Sequence, residues 1–340
     1  MDALVLCGGV VVLVCSFAAW VTLSLAVVLG RWRYDRLQPR AAGPISRGRA
    51  RKLARRASRR HRTDWGRWRG VTAFTLLARV RHPLAPRLVR SALASPDAKI
   101  AGSAVRALGD IGGDWAIGLL LESLRTGTRS RSRIAAQLER LAPEPGPRLL
   151  PLLRDPNPKV RFWGARLLGR YPDLGQQALV ALAWDRNANV RAAAMETLGS
   201  RSGPAVAAAV NAGLDDPAWF VRVHAARAVG RVVGAPAAPT IARLLADPQW
   251  WVRTAAKDTL RVMGPAGIPA LLSVLQHDDP FARQGAAEVL QDIGFVDSLE
   301  LESPRSPLLE RIYAAGGDDL REAARPGTED VPGTWEVQAA

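Results

Sequence analysis

Cysteine and histidine are both scarce in this chain. It has two cysteines and four histidines among 340 residues, and no histidine has a Cys or His partner at the spacing of a zinc site. Cys7 and Cys15 both lie in one uncharged segment, where we interpret them as small apolar residues. The sequence therefore argues against a disulfide framework and predicts no metal site and no cofactor.

Catalytic motifs are also lacking. The sequence has no Gly-rich phosphate loop, no nucleophile elbow and no Ser/His/Asp set that the fold would gather. The carboxylate pairs Asp215-Asp216 and Asp278-Asp279 lie at predicted helix N-termini, where the helix dipole favours acids. His224 follows Arg222 on a predicted helix and is expected to be a surface or concave-face histidine rather than a catalytic one. We predict no catalytic residue, and we expect that the chain is not an enzyme.

The N-terminal segment has no charge between Leu4 and Leu29 and is dominated by Leu, Val and Ala. That length is enough to cross a bilayer as one tilted helix. A cleaved signal peptide is the alternative, but a basic n-region is missing, Asp2 is acidic and the apolar run is long. We predict a transmembrane helix in residues 1–30.

A basic segment follows immediately. Residues 31–70 hold 15 Arg or Lys against two Asp, a net charge of +13. Positive charge beside a span marks its cytoplasmic side, so we predict one pass through the inner membrane, with the N-terminus outside and the rest cytoplasmic. Residues 31–63 are expected to be a linker that contacts anionic lipid headgroups. Nucleic acid is the alternative ligand, disfavoured by the position of the segment. The residues expected at the membrane surface are Arg31, Arg33, Arg36, Arg51, Lys52, Arg55, Arg56, Arg59 and Arg60.

The rest of the chain repeats one segment, best seen in Asp247–Gly264. It predicts an amphipathic helix in which Asp247 accepts from the first-turn amides, Pro248 lies in the first turn and Gly264 ends the helix. Arginines recur in the related segments at positions 161, 191, 222, 253 and 283, a period of 30 to 31. A shorter helix is predicted before each. Such a period indicates an α-solenoid of helical hairpins.

Three segments, Asp155–Gly169, Asp185–Gly199 and Asp216–Gly230, carry most of the pattern Asp-Pro-x-x-x-Val-Arg-x-x-Ala-x-x-Ala-Leu-Gly. This pattern resembles HEAT repeats, in the short variety found in many bacterial proteins and in phycobilin lyases. Gly164 departs from it, since it stands where the first Ala is expected. We predict an all-α fold with a HEAT-like solenoid in residues 64–295. Residues 296–340 are expected to form a capping helix, Ser306–Ala315, and an acidic disordered tail.

The resemblance also implies a role for the recurring acids and arginines. In HEAT proteins the matching residues bridge neighbouring repeats, and the same role is implied here. In this chain the spacing from Asp to Arg is six in four copies and shrinks to four or five in the last copy. A second row lies five residues beyond each arginine and is expected to pair between helices. Its signs alternate except at the last member, and the row consists of Arg166, Glu196, Arg227, Asp258 and Glu288. The predicted structural ladder consists of Asp155, Arg161, Asp185, Arg191, Asp216, Arg222, Asp247, Arg253 and Arg283.

Aromatic residues cluster near the start of the second helix of several repeats. Trp219 and Trp250 lie 31 residues apart, and so on the same edge of the predicted solenoid. Packing between repeats is the default interpretation. The alternative is an exposed stripe that receives a partner, because Trp and Arg concentrate binding energy. The candidate partner-binding residues are Trp219, Phe220, Trp250, Trp251, Phe162 and Trp163.

We therefore expect a non-catalytic, membrane-anchored scaffold that binds a membrane-associated protein through its repeats, without a small-molecule substrate. The resemblance implies an accessory subunit of an envelope complex such as a membrane glycosyltransferase. HEAT-like lyases and DNA-repair glycosylases are the alternative. A lyase is expected to lack a transmembrane span, and a glycosylase is expected to have a basic concave face. Residues 144–340 hold 21 Arg or Lys against 23 Asp or Glu, a net charge of −2, which argues against the glycosylase.

Overall fold

The computed structural model describes residues 85–323 and, before them, the isolated residues 48, 52, 53, 55, 71, 73, 76 and 77. The chain divides into two compact units, Met1–Leu120 and Leu121–Ala340. Among the described residues, regular structure is entirely helical, and no helix there has the length and apolar character needed to cross a membrane. The predicted span lies outside the described residues, as does most of the basic segment. Lys52 and Arg55 are described, and both are helical and exposed.

The described part of the first unit contains a helical hairpin. Helix α1 covers Ala85–Leu93 and α2 covers Ala98–Ile111, and the two pack against each other. Asp97 caps α2, with its Oδ1 accepting from the Lys99 N–H at 2.8 Å. Helix α3, Gly113–Thr126, runs across the boundary between the units.

The second unit continues as successive helical hairpins. In chain order its helices are α4 (Arg131–Arg140), α5 (Gly146–Leu149), α6 (Pro158–Leu167), α7 (Gln176–Leu182), α8 (Ala188–Leu198), α9 (Pro204–Ala212), α10 (Trp219–Val232), α11 (Ala238–Ala242), α12 (Trp250–Met263), α13 (Ile268–Val274), α14 (Pro280–Asp292), α15 (Phe295–Glu302) and α16 (Pro307–Ala323). Short 3-10 turns extend α5, α6, α9 and α11 at their C-terminal ends.

These helices form two layers with the core between them. The second helices of the hairpins, α6, α8, α10, α12 and α14, stack on one another in sequence order. A fully buried valine precedes each of the first four ladder arginines, at Val160, Val190, Val221 and Val252. Each hairpin has too little apolar surface to be stable alone, so the stacking of neighbours supplies the core.

Gly164 shows why one copy departs from the repeat pattern. A Cβ at this position would lie 2.9 Å from Leu152 Cβ and 3.2 Å from Leu153 Cδ2. These distances are shorter than ordinary van der Waals contact, so the alanine of the other copies does not fit unless the 3-10 turn Leu150–Arg154 moves away from α6.

The N-terminal capping predicted for Asp247 is wrong. Helix α12 begins at Trp250 with Gln249 as its N-cap, and Asp247 Oδ1 accepts from the Gln249 N–H at 2.9 Å. Asp155, Asp185 and Asp216 each accept in the same way from the residue two positions later. The aspartate closes a turn before the helix, and this holds its carboxylate in place for the neighbouring repeat.

The ends of the second helices are joined by bonds that the sequence did not predict. Thr197 Oγ1 donates to the Ala165 carbonyl at 3.0 Å, and Arg201 Nη2 donates to the Leu168 carbonyl at 2.9 Å. One repeat later, Arg231 Nε donates to the Gly199 carbonyl. Burial lowers the pKa of Arg201, and Asp173 acts against it.

The chain beyond Gly294 differs from its prediction. Helix α15, Phe295–Glu302, was not expected. Helix α16 continues to Ala323, past Gly316, where the disordered tail was predicted to begin, and it packs against α14. A further hairpin therefore covers the last repeat. Residues 324–340 lie outside the described part of the chain.

Candidate functional site

Three bidentate ion pairs join successive repeats along the ladder. Arg161 Nε and Nη2 donate to Asp185 at 2.7 and 2.9 Å. Arg191 binds Asp216 at 2.6 and 2.7 Å, and Arg222 binds Asp247 at 2.8 and 2.9 Å, through the same atoms. The paired geometry implied by the family resemblance is present at these three rungs.

Each ladder arginine is also held by its own repeat. Arg161 Nη1 donates to the carbonyls of Asp155 and Pro156 at 2.8 and 3.0 Å. The equivalent nitrogens of Arg191 and Arg222 donate to the carbonyls of Asp185 and Asp216. The guanidinium is therefore oriented by its own turn before the neighbouring repeat supplies a carboxylate.

The ion pairs perturb the acidities of their members. The hydrogen bond to Asp185 raises the pKa of Arg161, and the bond to Asp216 raises that of Arg191, against the effect of burial. Burial acts to raise the pKa of Asp185, but the hydrogen bonds from Arg161 and the Asn187 N–H prevail and hold that pKa below its ordinary value.

The ladder is incomplete at both ends. Asp155 has Arg125 at 3.9 Å, with the arginine side chain 46% exposed, in place of a bidentate partner. At the other end, Arg253 Nη1 donates to the carbonyls of Asp247 and Pro248 at 2.9 and 3.2 Å. No carboxylate of the described residues pairs with Arg253, and its Cζ lies 5.1 Å from the centroid of the Phe281 ring.

His277 occupies the position of the missing ladder aspartate. Its Nδ1 accepts from the Asp279 N–H at 3.0 Å, as the aspartates do two residues before each N-cap. Arg283 Nη1 donates to the His277 and Asp278 carbonyls at 2.7 and 2.9 Å. The spacing of six therefore persists in the last copy, from His277 to Arg283, and Asp279 is instead the N-cap of α14.

Large aromatic side chains are exposed along the starts of three successive second helices. The exposed fractions are 39% for Trp219, 54% for Trp250, 57% for Trp251 and 61% for Phe281. Trp250 and Trp251 meet edge to face, with ring centroids 4.7 Å apart. These four rings, which we call the aromatic edge, do not fill the core between repeats. Phe220 is half-buried against Trp219.

Phe162 and Trp163 lie elsewhere, in a groove of about 550 Å³ at the starts of α4, α6 and α8. Both rings are half-buried, and Arg166 Cζ lies 5.8 Å from each ring centroid. The groove is lined by basic, hydroxyl, amide and apolar side chains with no acid: Arg129, Ser130, Arg131, Ser132, Pro158, Lys159, Phe162, Trp163, Asn187 and Asn189.

The candidate list omitted two exposed rings. Phe281 was not among the candidate partner-binding residues, although its position at the start of α14 was the signal for it. Trp184 is 58% exposed and follows α7. It precedes Asp185 in sequence, at a position that Asp215 and Ala246 occupy in the next two repeats, so the repeat register did not reveal it.

The second charged row does not pair along its length. No ion pair within the described chain joins Arg166, Glu196, Arg227 and Asp258 in succession, although Lys257 Nζ lies 2.6 Å from Glu288 Oε2.

His224 is half-buried, and burial lowers its pKa. Glu196 acts to raise this pKa, whereas Arg227 and Arg166 lower it further. Residues 85–323 and the isolated described positions assemble no group of three or more metal-binding side chains.

Stacked helical hairpins joined by an Asp–Arg ladder define an α-solenoid. The profile for HEAT repeats matches residues 146–230 and 237–325, just over half of the chain. The chain belongs to the HEAT-repeat family. The match extends through α15 and α16, in agreement with the additional hairpin.

A solved structure agrees with this fold, and two further ones are similar over most of their length at lower TM-scores. A chain of the Kap95p–RanGDP structure is 13% identical, with a TM-score of 0.51 over 78% of this chain and 45% of that chain. An engineered protein is 20% identical over 79% of this chain and 87% of that chain, with a TM-score of 0.40. Human deoxyhypusine hydroxylase is 18% identical over 73% of this chain and 96% of that chain, with a TM-score of 0.31. No curated protein matches this sequence.

Proposed function

We propose that this chain is a membrane-anchored, non-catalytic scaffold whose repeats bind a protein partner through the aromatic edge. The observation that carries the proposal is the exposure of Trp219, Trp250, Trp251 and Phe281 on successive helices. Large exposed apolar side chains that recur in register are typical of interaction sites, and tryptophan is enriched among the residues that dominate binding energies.

The repeat architecture supports this use of the surface. A solenoid presents one extended surface because each hairpin contacts only its neighbours. Kap95p, whose fold resembles this one, binds RanGDP. The proposed membrane anchor has a separate basis in the uncharged run Leu4–Leu29 and the basic residues after it, which would place the solenoid and its partner beside the cytoplasmic face of a membrane.

The test replaces two rings of the aromatic edge in the full chain. Trp219→Ala with Trp250→Ala should reduce recovery of a partner cross-linked in native membranes at least tenfold, because two anchors of the interface are lost. The matched control is Trp184→Ala, which removes a tryptophan at least as exposed as Trp219 and Trp250 but outside the aromatic edge, and it should leave recovery unchanged.

A photo-reactive residue at position 250, compared with one at position 184, supplies the direct readout. The adduct should form at 250 and be absent at 184. Circular dichroism and melting of the double variant should remain close to those of the parent, since the rings are exposed. Equal adducts at both positions, or full recovery with the folded double variant, would exclude the aromatic edge as the docking surface.

A further inference from the structure

The three closed rungs show how this scaffold recognises a carboxylate. In each, the arginine Nη1 is held by carbonyls of its own turn while Nε and Nη2 bind the two carboxylate oxygens in parallel. Such bidentate, charge-assisted pairs are among the stronger and more directional hydrogen-bonded contacts in proteins. The repeats thus supply three examples of one receptor geometry.

Arg253 has the same anchoring without the carboxylate. Its Nη1 is held by the Asp247 and Pro248 carbonyls, and its guanidinium lies over the Phe281 ring, an arrangement favoured by the ring quadrupole. These contacts orient the Arg253 guanidinium before a ligand binds, so binding avoids part of the entropy cost of ordering the side chain.

The two acidic residues that follow His277 do not close the rung. Asp279 Oδ1 accepts from the Phe281 N–H as the N-cap of α14, and Asp278 contributes its backbone carbonyl, rather than its carboxylate, to Arg283. His277, at the ladder position, is exposed and closes its turn through Nδ1. The part of the chain that the structure describes therefore leaves Nε and Nη2 of Arg253 without an ion-pair partner.

We propose that Arg253 is a receptor for an aspartate or glutamate side chain of the protein partner. The acidic residue takes the place that Asp185, Asp216 and Asp247 hold at the other rungs. Phe281 stacks on Arg253, and Trp250 and Trp251 begin the same helix as Arg253. The partner segment therefore combines a carboxylate with apolar side chains. This inference rests on the proposed function and specifies the chemistry of its docking site.

The first experiment uses propionate, the side-chain analogue of glutamate, on the full chain labelled with nitrogen-15. At fixed pH and ionic strength, titration should shift the Nε–H resonance of Arg253, assigned by its loss in Arg253→Lys. The resonances of Arg161, Arg191 and Arg222 are already paired and should stay in place. Propionamide, which has the same shape without the charge, should move none of them.

His277→Asp tests the site by closing it from within. The new carboxylate should pair with Arg253, shift its resonance without ligand and reduce its response to propionate at least tenfold. His277→Asn keeps an acceptor for the Asp279 N–H without adding charge, and it should respond like the parent. An unresponsive Arg253 in the parent, or an equal response in His277→Asp, overturns the proposal.

Partner recovery separates this inference from the docking proposal. His277→Asp should reduce recovery of the partner cross-linked at position 250 at least tenfold, whereas His277→Asn should not. Undiminished recovery in His277→Asp would contradict the proposed role of Arg253 as a carboxylate receptor, but it would not contradict docking on the aromatic edge. Loss of recovery in Trp219→Ala with Trp250→Ala is independent of this result, so the two proposals fail separately.

Discussion

The rung between Arg222 and Asp247 and the gap between Arg253 and His277 belong to adjacent repeats and differ chiefly in one side chain. Both arginines donate through Nη1 to the carbonyls of their own turn. Only Arg222 also binds a carboxylate, at 2.8 and 2.9 Å. The position of the arginine is thus set within its own repeat. Where the aspartate is replaced by His277, the arginine of the preceding repeat keeps its orientation but has no carboxylate to bind.

Breaking a closed rung should have the largest effect. Asp216→Asn retains an oxygen that can accept from the Ala218 N–H but leaves Arg191 without its counter-charge. The Arg191 and Asp216 side chains are 15% and 7% exposed, so the loss in unfolding free energy should be about 3 kcal/mol or more. Denaturant unfolding measures the loss, and hydrogen exchange in α8 and α10 localises it.

The neighbouring residue provides the matched control for this variant. Asp215 pairs with Arg243 at side-chain exposures of 70% and 60%. Asp215→Asn should therefore cost less than about 1 kcal/mol. Equal losses for the two variants would mean that burial does not distinguish the ladder from ordinary surface ion pairs.

Introducing a carboxylate opposite Arg253 should have a smaller effect on the unfolding free energy, and of opposite sign. His277→Asp should raise the unfolding free energy by about 1 kcal/mol, because the new ion pair replaces hydration of an arginine that is already oriented. Slower amide exchange in α12 and α14 is the local measurement. His277→Asn should show neither change, and a destabilised His277→Asp variant would contradict the equivalence of this position with Asp247.

The pH dependence of the closed rungs gives the finest comparison. The folded pKa of Asp185 lies below its ordinary value, so its contribution to stability is present above about pH 4, the unfolded value, and is lost as pH falls through the folded pKa. Asp185→Asn should remove this part of the acid dependence. Parallel curves of unfolding free energy for the parent and the variant below about pH 4 would show that Asp185 is not responsible.

Much of the fold was predictable because solenoid contacts repeat with the sequence. The hairpins and the buried valines follow from the period. The ladder pairs Arg161–Asp185, Arg191–Asp216 and Arg222–Asp247 were implied by the resemblance to HEAT repeats. The helix starts were misplaced, since an aspartate followed by proline fits both an N-cap and the turn before it. Helix α15 was missed because its sequence does not repeat the pattern.

The candidate site was less predictable. The tryptophans were identified, but whether they pack or lie exposed depends on the angle between neighbouring helices, which spacing does not specify. His277 was overlooked because the ladder position was sought as an aspartate. The spacing of six between His277 and Arg283 was the available signal, and it became meaningful only with the turn hydrogen bond to the Asp279 N–H.

The sequence by itself determined the family, the repeat period and the residues of the closed rungs, because each is written in near-identical copies at fixed spacing. The tertiary structure alone decided which copy lacks a counter-charge and which rings reach solvent. Both depend on how one hairpin is placed against the next. A carboxylate binds an arginine only within hydrogen-bond distance, and a ring is exposed only where no neighbouring side chain covers it.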